Sequence, residues 1–190
     1  FPYTTLFRSD SQVNKATNVL VCFDNEEVGS STKQGAASPL LRTVLERITI
    51  ALGKSREDYY RALANSFMIS ADMAHALHPN YQGKADPTNK PIINEGPVIK
   101  IAASQAYTSD SMSIAVYEGI CKAAGVPVQK FVNRSDERGG STIGPISATQ
   151  LNIPAVDIGT PILAMHYVRE LGGILDQHYV YKSFMEFYQL

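Results

Sequence analysis

The chain is 190 residues long, with 44% apolar and 18% charged residues and a net charge of −1. It is long enough for one sizeable core and short for two domains, and its composition excludes a disordered polymer. A near-zero charge gives no global field drawn to nucleic acid or to an anionic membrane, and no apolar run approaches the roughly 20 residues of a membrane span.

Cys22 and Cys121 are too few for a disulfide framework or a zinc knuckle. Both have apolar neighbours, which predicts reduced, buried, structural thiols. With no secretory signal pattern, the cytoplasm is the expected compartment.

Residues 1–17 stand apart. Phe1-Pro2-Tyr3-Thr4-Thr5-Leu6-Phe7-Arg8-Ser9 has no periodicity and resembles a translated sequencing-adapter leader. A polar stretch follows it. Residues 1–17 therefore read as a non-native leader with an unmatched segment, and 18–190 as one folded unit. On that reading the natural chain extends further on its N-terminal side.

From residue 18 the predicted elements alternate. The apolar run Val19-Leu20-Val21-Cys22-Phe23 predicts a buried strand over 18–24, and a Gly/Ser-rich loop follows, Gly29 to Ala37. Ser38 reads as an N-cap with Pro39 at the first helical position. Leu40, Leu41, Val44, Leu45, Ile48 and Leu52 recur at helical spacing, so they predict a buried face, with Arg42 and Glu46 paired opposite. Gly53 stops that helix. Ser55 caps a second one, with Tyr59, Tyr60, Leu63 and Ala64 facing inward.

Phe67–Ala71 predicts a short buried strand. The segment from His78 to Pro97, with Pro79, Gly83, Pro87, Pro91 and Gly96, is a long loop. A strand over Pro97–Ala102, a helix over Ser109–Ala124 ended by Gly125 and a strand over Val128–Val132 come next. Asn133–Ser141 is a charged, glycine-rich loop. A helix near Ile143–Leu151, a strand at Ala155–Ile158 and a helix after Gly173 complete the chain. The alternation predicts an α/β fold: a three-layer sandwich with a mixed, mostly parallel central sheet and helices on both faces.

The chemistry concentrates in a few places. Asp24-Asn25-Glu26-Glu27 ends an apolar run, which is how a strand delivers carboxylates to a sheet edge. Glu26 and Glu27 would point to opposite faces of an extended strand, so a shared site needs a turn near Asn25, which the Asp-Asn pair and Gly29 favour. The bland reading is a solvated acidic loop. Asp72 follows an apolar strand and reads either as a metal ligand or as a helix N-cap, with His75 on the same side of a helical turn. His75 and His78 share that spacing, though no further carboxylate supports a zinc site there. His166 follows a strand, with Arg169 and Glu170 close by, and a packing role is its plain alternative. His178 carries no signal. Lys100 ends an apolar strand and calls for an anion, unless it snorkels to the surface. Arg134, Asp136, Glu137 and Arg138 read as a solvated loop. Gly139–Gly144 precedes a helix and could cradle an anion, but it lacks the ending of a nucleotide-binding P-loop.

Six motifs in register give the chain a resemblance. Asp24-Asn25-Glu26-Glu27-Val28-Gly29-Ser30, Ser70-Ala71-Asp72-Met73-Ala74-His75-Ala76, His78-Pro79-Asn80-Tyr81, Gly96-Pro97-Val98-Ile99-Lys100, Ser141-Thr142-Ile143-Gly144-Pro145-Ile146 and Met165-His166 with Arg169-Glu170 are similar to those of the aspartyl aminopeptidases, the M18 zinc metallopeptidases. The resemblance runs from Asn18 to Tyr188. It implies a zinc-aminopeptidase-like fold, two zinc ions per complete site, and removal of N-terminal Asp or Glu from peptides. By that resemblance Glu26 is the general base, Glu27 and His166 hold one metal, and Asp72 holds the other. His75, Lys100 and Tyr107 match substrate-contacting positions. The implied assembly is a homo-oligomer, a dodecamer, with no nucleic-acid or membrane partner.

The resemblance also implies a histidine ligand and a bridging aspartate ahead of the Asp-Asn-Glu-Glu motif. Neither is found, and Asp10 lies in the unmatched segment. The expectation is therefore a C-terminal part of a catalytic domain, with little activity alone and weak zinc binding. The rival readings are a non-catalytic remnant that assembles or binds peptides, and another cocatalytic amidohydrolase.

Overall fold

The computed structural model describes residues 16–137 and 139–190, so residues 1–15 of the predicted 1–17 leader and unmatched segment, Asp10 among them, and Arg138 lie outside the described residues. The elements run α1 (Leu40–Ala51), α2 (Arg56–Ala64), β1 (Met68–His75), a 3-10 turn (Gln82–Lys84), β2 (Val98–Ile101), α3 (Ser111–Ala124), β3 (Gln129–Val132), α4 (Ile143–Leu151), β4 (Ala155–Leu163), β5 (Leu171–Gly172) and α5 (Ile174–Phe187).

The sheet order is β1-β4-β2-β3, with β5 on β4. β1 runs parallel to β4 from Met68↔Ala155 to His75↔Ile162, and β2 runs parallel to β3. β2 and β5 meet β4 antiparallel over shorter stretches. The predicted mixed, mostly parallel α/β sheet is what forms.

Alternation along the strands separates two faces. Val156, Ile158 and Ile99 pack with Tyr117, Ile120 and Cys121 of α3, and Phe184 and Phe187 of α5 join that core. Tyr117 is wholly buried, and its hydroxyl bonds Ser183 of α5 at 3.0 Å. Burying a side chain of that size contributes about 2 kcal/mol or more. Asp157, between Val156 and Ile158, points the other way, and Gly144 of α4 lies against its carboxylate. Helices therefore cover both faces.

Local signals explain the helix ends. Ser55 and Asp58 form a capping box on α2, and Asp110 and Ser113 form one on α3, which stops at Gly125 in the left-handed region at φ 63°. Asp176, in the first turn of α5, accepts the amides of Asn94 (2.6 Å) and Gly96 (2.9 Å), and so pins the end of the long loop.

Several expectations are corrected. Residues 18–24 form no strand. Val19, Leu20 and Val21 are exposed, and the segment is tied instead to the end of α5 by Asn18 on the Tyr188 carbonyl and by the Tyr188 hydroxyl on the Val19 carbonyl. A strand needs a neighbour to take its backbone groups, and no described residue supplies one there. Cys22 is accordingly exposed, while Cys121 is buried as predicted.

On α1 only Leu41 is buried, and Leu40, Val44, Ile48 and Leu52 stay exposed because no described element covers that face. The helix starts one residue later than predicted, with Pro39 at the cap position. Glu46 pairs with Arg56 of α2 at 3.0 Å rather than with Arg42. On α2, Tyr59 is buried but Tyr60 and Ala64 are exposed. β1 continues through Asp72 to His75, so no helical turn relates those two residues. β4 likewise continues past Ile158 to Leu163, through Pro161.

Candidate metal centre

The acidic loop turns where its sequence permits. The Gly29 amide donates to the Glu26 carbonyl (2.9 Å), and Gly29 takes φ 106°. Asn25 bridges to Gly35, and its side chain donates to Thr32 Oγ1 (3.1 Å). A Cβ on Gly35 would overlap the Ser30 backbone, so the return of the loop needs glycine there. The turn leaves Glu26 half-buried and Glu27 exposed, rather than on opposite faces of a strand.

Glu27 meets His166, with 3.1 Å between Oε2 and Nε2. His166 lies beyond β4 in a bend where Ala164 (φ 59°) and His166 itself (φ 68°) are left-handed, and its amide donates to Glu170 Oε1 at 2.8 Å. Left-handed backbone at two non-glycine residues is held only where surroundings enforce it. Glu27, His166, Tyr167, Val168 and Glu170 line an open depression.

Asp72 forms an ion pair with Lys100, whose side chain is only 6% exposed. The anion that the lysine called for is thus an internal carboxylate. Burial pushes the Asp72 carboxyl above the usual range; Lys100 opposes this, while Asp157 and Glu26 add to it. Burial lowers His75 below the usual histidine range, and the charges of Lys100 and His166 lower it further. The Tyr107 ring lies 5.6 Å from Lys100 Nζ and edge-on to Phe131, which also borders His75. Burial raises the Tyr107 phenol, against a hydrogen bond to Asn133.

Glu26, Glu27, Asp72, His75, Lys100, Tyr107 and His166 are thus linked by contact or by mutual charge. His78 is not among them: its ring lies 4.9 Å from that of Tyr81 in a tilted arrangement, and its Nδ1 accepts the Asn80 amide.

The donors suit zinc in kind. Carboxylate and imidazole are ordinary zinc ligands, and two ligands on one tetrahedral ion stand about 3.3 Å apart, close to the Glu27–His166 spacing. They are incomplete in number. Among the described residues no group of three or more His, Cys, Asp or Glu side chains is close enough to hold a metal.

One residue had no part in the sequence reading. Asp157 is fully buried, its Oδ2 accepts the Thr108 amide at 2.6 Å, and its carboxylate lies against Gly144 in the first turn of α4. The anion at the start of that glycine-preceded helix is therefore the protein's own. The signal was present as an aspartate inside the apolar run Ala155–Ile158.

The chain matches the family described as "Aminopeptidase I zinc metalloprotease (M18)" over residues 3–188. It is 67% identical over 182 residues to the "Probable M18 family aminopeptidase 2" of Clostridium novyi, covering 96% of this chain and 42% of that protein. The chain thus spans about two fifths of the curated relatives' length. Among solved structures it resembles a chain of the "Ape4 and Nbr1 complex", at TM-score 0.85, 44% identity and coverage of 88% of this chain and 32% of that one. It also resembles the "S. cerevesiae mApe1 dodecamer", at TM-score 0.73 and 29% identity, covering 88% and 37% of the two chains. With nearly its whole length matched, the chain belongs to the M18 family of zinc metallopeptidases.

Proposed function

We propose that this chain supplies one wall of a dizinc aminopeptidase site that releases Asp or Glu from peptide N-termini. One observation carries the reading: Glu27 of the 24–30 loop pairs with His166 of the bend after β4, and Asp72 of β1 pairs with Lys100 of β2. In this reading Glu27 and His166 hold one zinc and Asp72 the other, with further ligands drawn from the part of the relatives that this chain does not span. Bound zinc supplies Lewis acidity and makes a water more acidic.

The chain's own groups do the rest. Glu26 takes the proton of the attacking water and returns it to the leaving amine. Lys100 is the cation for an acidic side chain, and Tyr107 walls it. His75, beside Phe131, contacts substrate. The complete protein assembles with copies of itself, as its dodecameric relative does. No described helix is long and apolar enough to cross a membrane.

The test joins this chain to the remaining portion of the Clostridium novyi relative. Cleavage of an Asp-amide over a Leu-amide is expected, with Glu26→Gln lowering kcat about a hundredfold or more while zinc uptake persists. Absence of cleavage by the zinc-loaded chimera would sink the reading, and equal cleavage of both amides would sink the acidic preference.

A further inference from the structure

We propose that Asp157 is a positioning residue of the candidate site, holding the Tyr107–Ser109 segment so that the Tyr107 ring stays beside Lys100. This rests on the aminopeptidase reading. Two side-chain carboxylates are wholly buried among the described residues, Asp157 and Asp176. Asp176 is accounted for by the 94–96 loop. Asp157 instead bonds the amide of Thr108, next to Tyr107.

Three bonds tie the segment after β2 to this one residue. The Thr108 amide donates to Oδ2 at 2.6 Å. The Asp157 amide donates to Ser109 Oγ at 2.9 Å, and that hydroxyl donates to the Asp157 carbonyl at 3.3 Å. On the other side the carboxylate is braced by α4, where any Cβ at Gly144 would overlap it. The positive end of that helix favours the negative charge. Oδ1 has no hydrogen-bond partner among the described residues, so the helix start is its main compensation.

The segment so held carries Tyr107 on one side and the Asp110 cap of α3 on the other. The placement of that segment therefore depends on Asp157, which bonds it at Thr108 and Ser109.

The test reads local order apart from activity. In the 190-residue chain, amide exchange is followed by NMR for the wild type, Asp157→Asn, Asp157→Leu and Gly144→Ala. Losing a charge-assisted bond should speed exchange at Thr108 about tenfold or more in Asp157→Leu. Asp157→Asn keeps an acceptor and should speed it about threefold at most. Gly144→Ala displaces the carboxylate without removing it and should act like Asp157→Leu, which keeps the test decisive if the leucine variant does not fold. The amides of Ile120 and Cys121 report the α3 core and should stay within about threefold. Thr108 exchange that is unchanged, or that rises only in step with those core amides, would overturn the proposal.

In the zinc-loaded chimera, Asp157→Leu and Gly144→Ala should raise KM for the acidic substrate more than they lower kcat, as loss of substrate positioning requires, while Asp157→Asn should leave KM close to the wild-type value. An equal fall in kcat with KM unmoved would overturn it too. A wild-type chimera that cleaves nothing would overturn the aminopeptidase reading itself and, with it, the role given to Asp157, whatever the exchange rates show.

Discussion

His166 Nε2 lies 3.1 Å from Glu27 Oε2, joining the acidic loop ahead of α1 to the bend after β4. Both side chains are largely exposed, at 67% and 73%, so their mutual attraction in solvent adds little to stability. Their contact is informative as a ligand pair. A cation shared by both makes their contributions inseparable. Isothermal titration with zinc should show weak uptake by the chain alone. His166→Ala and Glu27→Gln should each weaken that uptake about tenfold or more, and the double variant should be scarcely worse than either single one. Additive losses would show that the two residues do not share an ion, and tight uptake of two ions would contradict the incomplete ligand set.

The loop bearing Glu26 and Glu27 depends on Gly35, where a Cβ would overlap Ser30. Gly35→Ala should cost about 1–3 kcal/mol of loop order, because backbone rather than a flexible side chain would have to move. The loop lies outside the core of α3, α5 and the sheet. Zinc uptake should therefore fall while the urea midpoint moves little. A large shift in midpoint with zinc uptake intact would place Gly35 in the folding core instead.

The two thiols should differ sharply. Cys22 is exposed and Cys121 is buried, with burial pushing the Cys121 thiol up to about 11. Since the thiolate is the reactive form, a disulfide reagent at pH 8 should titrate one thiol in the folded chain and the second only in denaturant. Rapid reaction of both in buffer would mean that the α3 face of the core opens readily.

How much of this was legible depends on whether a signal is local. Ser55 and Gly125 act within one turn of chain, and both ends form as their residue types dictate. The run Val19–Phe23 has the composition of a strand, but pairing is a property of two segments, and the sequence of one does not provide the other. The stripe Leu40, Val44, Ile48 and Leu52 likewise marks a face that wants cover without saying that cover is present. At β1 the motif Asp72-Met73-Ala74-His75 fits a strand or a helical turn equally, and the eight-residue ladder to β4 decides for the strand. The candidate site residues stood out as motifs. The Lys100 partner and the contacts of Asp157 did not, because both depend on segments that meet only in the fold.

Acid should loosen the chain through hydrogen-bonded aspartates. Asp86 accepts the amides of Thr88 and Asn89 and both their side chains, which lowers its carboxyl to about 2. Asp58 and Asp110 are lowered in the same direction by their capping bonds. A carboxyl with a depressed folded pKa stabilises above its unfolded value and loses that contribution as pH falls through the folded value. For Asp86 the window runs from 3.8 down to about 2. Exchange at the Thr88 and Asn89 amides should accelerate, relative to intrinsic rates, across that window, and Asp86→Asn should flatten the response. A response that survives the substitution would assign it to another group.

Lys100→Met separates two roles of one cation. Lys100 is 6% exposed at its side chain and Asp72 33%, so removing the lysine strands a largely buried carboxylate. Breaking a fully buried pair costs about 3–5 kcal/mol; the partial exposure of Asp72 reduces the expected loss to about 1–3 kcal/mol. Its pH dependence has a definite sign. The Asp72 carboxyl is already raised by burial, and Lys100 is the main group holding it down. A raised carboxyl favours the folded state below its unfolded pKa, and that contribution is lost as pH rises through the folded value. Without Lys100 the folded value rises further, so the deficit should be small in acid and grow toward neutral pH. Lys100→Met with Asp72→Asn should recover most of it, since no charge is then stranded. A deficit independent of pH, or not rescued by the second change, would mean that the lysine stem packs the site and that its charge contributes little. In the zinc-loaded chimera the same Lys100→Met change should erase the preference for an Asp-amide over a Leu-amide, and an unchanged preference would remove Lys100 from the recognition of acidic residues.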